Sequence, residues 1–156
     1  MAADSSLELH LSIRNADSGE PIVFKSDGSR FETSTRTLKL YSNARYKLTV
    51  VCKPNTEFNS LHIAGSDLAL HRASPNGGEY TAEWNTTGIE PTRQATRQQL
   101  QVTLQGPGGT LRRVLQSKFY NRDESHAEWG QRLETLIWKC NVDNTGNIAV
   151  VDEITK

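Results

Sequence analysis

The sequence predicts an all-β protein, namely a single-domain antiparallel β-barrel or sandwich of about ten strands over residues 1–156. The first observation is alternation, since Leu7, Leu9, Leu11 and Ile13 occupy every second position with polar residues between them. Successive side chains of a strand point to opposite faces, so this pattern gives one apolar and one polar face. The second observation is that such segments are short and are separated by turn residues, whereas no comparably long segment keeps a helical period. The sheet must therefore close or stack to bury its apolar faces.

In the amino-terminal half, strands are predicted from the alternation of apolar and polar residues and from the turn residues between the alternating segments. The predicted strands are 7–14, 21–25, 30–32, 36–41, 45–53, 61–63 and 68–70. Asp27-Gly28 is typical of a hairpin turn because this pair tolerates positive φ angles. Pro54 ends the strand before it, since proline has no N–H to donate to a neighbouring strand.

The carboxy-terminal half follows the same plan with longer connections. The predicted strands are 79–84, 100–104, 110–120, 134–140 and 147–152. We expect a β-bulge near Arg112 and Arg113. One helical segment is predicted over 123–129, because Ser125 and Glu128 have the spacing of a capping box and Gly130 would end the helix.

Composition restricts the classes of function. Eighteen basic residues balance eighteen acidic ones, so no overall field favours nucleic acid, and we expect none as a partner. No apolar segment approaches the roughly 20 residues that span a bilayer, so direct membrane insertion is not expected. The amino terminus lacks a charged region followed by an apolar run, and the two cysteines lie far apart in sequence. We therefore expect a cytoplasmic protein in a reducing compartment.

The residues with reactive or metal-binding side chains do not form a known catalytic pattern. His62 and His71 lie on two arms of one predicted hairpin with Asp67 at its turn, so a metal site is one interpretation. The favoured interpretation places the histidines on the polar face, with no metal and no cofactor. Cys140 is interpreted as a structural thiol rather than a nucleophile, because no local signature surrounds it. The sequence therefore predicts no enzyme; a sugar-acting β-sandwich enzyme has only the fold class in its favour.

Two features are candidates for partner contact. Trp129 lies in a polar segment, and we expect it to close one end of the barrel in preference to lining a binding rim. The pairs Arg93 with Arg97 and Arg112 with Arg113 are suited to an acidic or phosphorylated peptide, although solvated surface charge is the simpler interpretation.

Several ordered segments together resemble the cannabinoid receptor-interacting protein family. They are 23–31, 36–40, 46–50, 53–56, 80–81, 87–92, 118–121, Trp129-Gly130 and Cys140. The residues after Cys140, the loop 93–99 and the strand entered at Thr110 depart from the vertebrate pattern, which suggests a remote, invertebrate member. No single segment is specific to the family, whereas the ordered set of segments is.

The resemblance implies a function, a fold and a partner. It implies a non-catalytic cytoplasmic regulator that binds the intracellular carboxy-terminal tail of a G protein-coupled receptor, the type-1 cannabinoid receptor in the family, and modulates its signalling. It also implies an antiparallel β-barrel similar to Rho GDP-dissociation inhibitors and prenyl-binding carriers. The expected location is the cytoplasm, including the inner face of the plasma membrane through the partner. For the contacts with the tail we select Arg30, Phe119, Tyr120 and Trp129.

The alternative function is a carrier or chaperone for lipidated proteins, with an acyl or prenyl group as cargo. A carrier needs an apolar cavity, whereas a binding module fills its interior with side chains. The candidates for the cavity wall are Phe24, Leu40, Leu48, Val50, Trp84 and Val102. A lipidated protein is the further partner that this alternative implies.

Overall fold

The fold is taken from a computed structural model of the chain. The structure describes residues 5–26, 36–54, 56–73, 78–93, 97–107, 109–124, 127 and 129–156. Within these residues the structure is nearly all-β, with strands joined by turns and loops. The strands are β1 (Ser5–Asn15), β2 (Val23–Ser26), β3 (Arg36–Tyr41), β4 (Arg45–Lys53), β5 (Ser60–Ile63), β6 (Ser66–Ala69), β7 (His71–Arg72), β8 (Glu79–Asn85), β9 (Gln98–Gly106), β10 (Gly109–Tyr120), β11 (Gln131–Arg132), β12 (Leu136–Val142) and β13 (Asn147–Thr155).

One mixed sheet winds into a nearly closed barrel. Its main path runs β11-β2-β3-β10-β13-β12-β1-β4-β8-β7, and the branch β9-β5-β6 continues from the other edge of β10. β1 lies between β4 and β12, with Leu9 opposite both Cys52 and Trp138. β3 and β4 lie on different walls of the barrel, because β3 pairs with β2 and β10 whereas β4 pairs with β1 and β8. The turn between β3 and β4 therefore crosses from one wall to the other.

β10 changes its partner along its length. Thr110 and Leu111 pair with β13, and residues 117–120 pair with β3, both in parallel. The diverging strands β13 and β3 are bridged by Glu153, whose carboxylate accepts hydrogen bonds from Arg36 at 2.8 Å and from Arg113 at 2.9 Å. Trp138 Nε1 donates to the same carboxylate at 2.8 Å. The Glu153 side chain is 12% exposed, so its carboxylate is largely shielded from water, whereas the side chains of Arg36 and Arg113 are partly exposed.

The apolar faces of the strands meet inside the barrel. Trp84 is fully buried, with Tyr46 at 5.8 Å and Phe119 at 6.2 Å between ring centroids. The Phe119 ring meets Trp84 edge to face at 81°, a favourable arrangement for two aromatic rings. Burial raises the pKa of Tyr46 to about 12, and its hydroxyl oxygen accepts a hydrogen bond from the Tyr41 N–H at 2.7 Å.

The all-β class and the barrel are confirmed, and several local predictions need correction. β3 and β4 have the predicted bounds, whereas β7 and β11 were not predicted. The sheet is mixed and not purely antiparallel, because β10 has the two parallel partners.

The predicted bulge at Arg112–Arg113 is wrong, since β10 pairs with β9 in continuous register there. The register shift lies instead between Lys139 and Cys140 of β12. The helix predicted over 123–129 is also wrong for its described residues, which include a turn at Asp123 and 3₁₀ conformation at Ala127. The capping-box residues Ser125 and Glu128 lie outside the described residues, as does the predicted strand 30–32.

Candidate functional site

Lysines and tyrosines alternate with core residues along β3 and β10. In the parallel register Lys39 is next to Lys118, and Tyr41 is next to Tyr120. Leu40 and Phe119, the residues between them, point into the core. The lysines and tyrosines therefore share the outer face of the barrel wall.

Two further cations extend this surface toward β2. Lys25 lies opposite Thr37 in the β2–β3 pairing, and Arg97 Nε donates to Thr37 Oγ1 at 3.0 Å. We call the surface formed by Lys25, Lys39, Arg97, Lys118, Tyr41 and Tyr120 the cationic face.

The ring of Tyr120 organises the centre of the cationic face. Lys39 Nζ lies 5.8 Å and Lys118 Nζ 5.6 Å from its centroid, within the range of cation–π attraction. Partial burial lowers the pKa of Lys118, and the nearby charges of Arg97 and Lys25 lower it further, against the opposite effect of Glu124. The positive charges of Arg97 and Lys25 disfavour the protonated form of Lys118, and the same charges would favour an anion on this face.

Trp129 reaches this surface because Gly130 lies directly against β2. A Cβ atom on Gly130 would be 2.6 Å from the carbonyl oxygen of Phe24, and its φ is +153°. Glycine therefore permits the close approach and the backbone conformation. The approach places the Trp129 carbonyl where Lys39 Nζ donates to it.

Two surface clefts border the cationic face. The first cleft, of about 560 Å³, lies on the β2–β3 side and is lined by Asn15, Ser18, Glu20, Pro21, Ile22, Val23, Lys39, Tyr41, Tyr46, Ala127, Gly130 and Arg132. The second cleft, of about 480 Å³, lies on the β10 side and is lined by Pro91, Thr92, Lys118, Phe119, Tyr120, Asn121 and Glu124. Thr92 holds this side in place, since Phe119 N–H donates to its hydroxyl at 2.9 Å and Thr92 N–H donates to the Phe119 carbonyl at 2.9 Å.

Three of the four residues selected for partner contact lie at or beside this surface. Tyr120 lies at its centre, and Phe119 contributes to the second cleft although it is 1% exposed. Trp129 is 57% exposed, so the expectation that it closes one end of the barrel is wrong. Arg30 lies outside the described residues. The role of these residues in binding a partner stays a prediction.

The six residues selected for a lipid cavity pack in the core. Phe24, Leu40, Leu48, Val50, Trp84 and Val102 are each 5% exposed or less and belong to one apolar cluster. Surface clefts of about 350–590 Å³ border the described part of the chain, and none of the six residues lines these clefts. This packing gives the carrier alternative no specific support, and the alternative stays a prediction.

The other candidates for chemistry are separate from one another. His62 lies 3.6 Å from Asp67 across the β5–β6 hairpin, whereas His71 pairs with Thr81 of β8. Among the described residues, no group of three or more His, Cys, Asp or Glu side chains is arranged to hold a metal ion. Burial raises the pKa of the Cys140 thiol to about 11, which keeps it protonated near neutral pH. A protonated thiol is a poor nucleophile.

The arginine pairs divide between two environments. Arg97 belongs to the cationic face, whereas Arg113 belongs to the ionic cluster with Glu153. Arg93 and Arg112 are exposed.

In the described part of the chain, no helix is long and apolar enough to cross a membrane.

Sequence reasoning missed Lys39, which is 9% exposed although it is charged. Its position between Leu38 and Leu40 indicates an ordinary outer-face residue, and its partner Trp129 lies ninety residues later. The one signal available was that Tyr41 and Tyr120 follow lysines at the same spacing in two strands, Lys39-Leu40-Tyr41 and Lys118-Phe119-Tyr120.

The fold and this surface define a β-barrel protein with a packed core and a cationic, aromatic outer face. Comparison with known proteins gives the family. The family model described as CB1 cannabinoid receptor-interacting protein 1 matches residues 3–155, and the chain belongs to this family.

Relatives with that name have similar length and moderate identity. The human protein is 31% identical over 154 residues, which cover 94% of this chain and 93% of the human one. The Mus musculus protein is 32% identical over the same shares. The predicted family is therefore confirmed, and these relatives are named for interaction with the CB1 cannabinoid receptor.

Proposed function

We propose that this protein binds the cytoplasmic carboxy-terminal tail of a G protein-coupled receptor through the cationic face and the clefts beside it, and thereby modulates the receptor's signalling. The proposal depends mainly on one observation, that the ammonium groups of Lys39 and Lys118 both lie within cation–π distance of the Tyr120 ring on the surface that also includes the exposed Trp129. Tyrosine and tryptophan are among the residue types that contribute most to binding energy in interfaces. Family membership supplies the class of partner, since the relatives are named for interaction with the CB1 cannabinoid receptor.

The proposed action is binding without catalysis on the cytoplasmic side of the membrane. A tail peptide that crosses β3 and β10 contacts both lysines and both tyrosines, and each cleft accepts side chains from one edge of the peptide. Anionic residues of the peptide meet a surface whose cations already repel one another, so binding relieves that repulsion. The electrostatic part of the affinity decreases with salt, because the Debye length falls from about 10 Å at 0.1 M to about 3 Å at 1 M.

Calorimetric titration with receptor tail peptides, phosphorylated and unphosphorylated, tests the proposal. We expect micromolar or tighter binding of at least one peptide, weakened several-fold by Lys118→Met. Lys47→Met is the matched control, because Lys47 is an exposed lysine on β4 at the opposite wall. A scrambled peptide of the same composition separates specific binding from general charge attraction. Absence of binding to every tail peptide at high micromolar concentration, or equal effects of the two lysine variants, would overturn the proposal.

A further inference from the structure

The wall of the barrel has a gap where β10 exchanges one parallel partner for the other. β13 pairs with β10 at Thr110 and Leu111, and β3 pairs with it from Ser117 onward. In the described part of the chain, residues 112–116 of β10 therefore have no strand opposite them on this edge. Residues 149–155 of β13 pair only with β12. We call the space between these two strand edges the wall gap.

The backbone of β10 points into the wall gap at alternate residues. At one end of the gap the Thr110 N–H donates to the Gly146 carbonyl, and beyond its other end the Tyr120 carbonyl accepts from the Ser42 N–H. Alternate residues of a strand direct their N–H and C=O groups to the same edge. Val114, which lies between Thr110 and Tyr120 at the same parity, therefore presents its N–H and C=O groups to the gap.

β13 presents its backbone to the gap in the same way, and a β-bulge exposes an apolar residue there. The Lys156 N–H donates to the Thr135 carbonyl, so residues of the opposite parity, including Glu153, direct their backbone groups away from β12 and toward the gap. The register shift of the β12–β13 pairing leaves Val151 as the extra residue, and it is 60% exposed. β-bulges are frequent at sheet edges, where they end the pairing of strands.

The side chains beside the wall gap differ between its two faces. On the outside, Val114 is 37% exposed, which adds a second exposed apolar residue to Val151. On the inner face, Arg113 Nη2 donates to Glu153, whereas the buried Nε–H of Arg113 has no hydrogen-bond partner among the described residues. A buried N–H without an acceptor costs free energy, and an acceptor on a bound molecule would recover it.

We propose that an extended peptide segment of a partner protein adds to the sheet as a strand in the wall gap. Its backbone bonds to Val114 and Glu153, and its outward apolar side chains pack on Val114 and Val151. An inward acidic side chain on the β10 side accepts a hydrogen bond from Arg113 Nε. Strand addition to a free sheet edge takes its affinity from the backbone and its specificity from alternate side chains. The wall gap shares no residue with the cationic face, so this inference goes beyond the proposed function.

A second copy of the chain is a poorer occupant of the wall gap than a partner peptide. Pairing of β13 with the same strand of another copy, centred on this segment, would bring Asp152 and Glu153 close to their own copies. Like charges that face each other across two strands are destabilising. Charged side chains at a sheet edge are a common protection against such self-pairing.

Hydrogen exchange followed residue by residue tests the gap in the free protein. We expect the Val114 amide to exchange about 100-fold faster than the Leu115 amide, because Leu115 has the opposite parity and directs its N–H to β9. Equal protection of the two amides would mean that this edge of β10 is already paired, which overturns the proposal.

Binding is tested with a synthetic probe. The probe is an acetylated and amidated octapeptide that alternates threonine and valine, with glutamate in place of the third threonine. We expect it to bind in the micromolar range by calorimetry and to slow exchange of the Val114 amide. N-methylation of alternate peptide residues removes backbone donors and should weaken binding about tenfold or more. Lysine in place of the glutamate should weaken it about tenfold, because the acceptor for Arg113 is lost.

Variants of the protein supply an independent readout. Val114→Pro removes the N–H that points into the gap without removing a bond to β9, and we expect it to weaken binding about fivefold or more. Val114→Ala is the matched control, because it keeps the N–H and loses only the outward side chain. Lys118→Met, which tests the cationic face, is expected to leave the affinity for the probe unchanged. Thermal unfolding establishes that each variant is folded, and the comparison of the three peptides stands whether or not Val114→Pro folds.

The outcomes separate this inference from the proposed function. Absence of probe binding at high micromolar concentration, equal binding of the N-methylated peptide, or tighter binding of the lysine peptide overturns strand addition in the wall gap. Sedimentation that shows a dimer, together with protection of the Val114 amide at dimer-forming concentrations, overturns it as well and assigns the gap to a second copy. None of these results affects the proposed function, which is tested by the receptor tail peptides and Lys118→Met.

Discussion

The inner and outer faces of β3 and β10 belong to the same strands but have opposite chemistry. Inside, Leu40 and Phe119 pack into the core that contains Trp84. Outside, the ammonium groups of Lys39 and Lys118 lie 5.8 Å and 5.6 Å from the centroid of the Tyr120 ring, and burial lowers the pKa of Lys118. The inner face specifies the fold by excluding water. The outer face holds charged lysine side chains in partly desolvated positions, which costs free energy unless the charges are compensated by a bound partner. Stability and recognition should therefore respond to different substitutions.

Trp84→Ala tests the inner face and has the largest expected effect. Removing a fully buried indole leaves a cavity beside Tyr46 and Phe119, so we expect the free energy of unfolding to fall by about 3–5 kcal/mol. Urea denaturation measures this change. A loss under 1 kcal/mol would mean that the interior is loosely packed, which would favour the lipid-carrier alternative.

Alkaline pH tests the inner face through the ionisation of the buried Tyr46 hydroxyl. The pKa of Tyr46 is about 12 in the folded protein, above its ordinary value of 10.0, so the unfolded chain loses this proton first. The free energy of unfolding should then decrease as the pH rises from about 10 to 12, by about 2–3 kcal/mol from this residue. Urea denaturation at several pH values measures the slope, and Tyr46→Phe should make it shallower. An unchanged slope in that variant would assign the alkaline loss to other groups, with Cys140 the first candidate.

Glu153→Gln tests the ionic cluster that joins the diverging strands. The substitution removes the charge that Arg36 and Arg113 share, and we expect a loss of about 1–3 kcal/mol, since both arginines keep partial contact with water. The effect should decrease with added salt. Urea titrations at low and high ionic strength provide the measurement, and an effect independent of salt would indicate a packing change instead.

Trp129→Ala is expected to have the smallest effect on stability and a clear effect on binding. Because 57% of the residue is exposed, the free energy of unfolding should change by less than about 0.5 kcal/mol. Affinity for a tail peptide should fall about tenfold or more, as is usual for a tryptophan central to an interface. Parallel denaturation and calorimetry check both values. A large loss of stability with unchanged affinity would place Trp129 with the core and not with the cationic face.

Local sequence predicted the faces of the strands but not their neighbours. Alternation placed Leu38 and Leu40 inside and gave the bounds of β3 and β4, because the period of two is a local property. It could not show that β10 leaves β13 and joins β3, since the pairing joins residues such as Leu38 and Ser117, which are far apart in the chain.

In the candidate site too, the sequence predicted some residues, whereas others depend on contacts between distant parts of the chain. The resemblance directed attention to Tyr120 and Trp129, whereas the burial of Lys39 depends on a carbonyl ninety residues away. The polar neighbours of Trp129 favoured a buried tryptophan at the end of the barrel, and the close contact of Gly130 with β2 leaves the side chain exposed instead.

The position of β1 between β4 and β12 has a consequence for biosynthesis. Leu7 faces Cys140 across the sheet, so one of the first strands to be made acquires its second neighbour from almost the last. At the roughly 5–20 residues per second of translation, synthesis from Leu7 to Cys140 takes about 7–27 seconds, and this edge of the nascent chain stays open for that time. During that interval an apolar strand edge is accessible to other chains, and a chaperone that covers it would raise the yield of correctly folded protein.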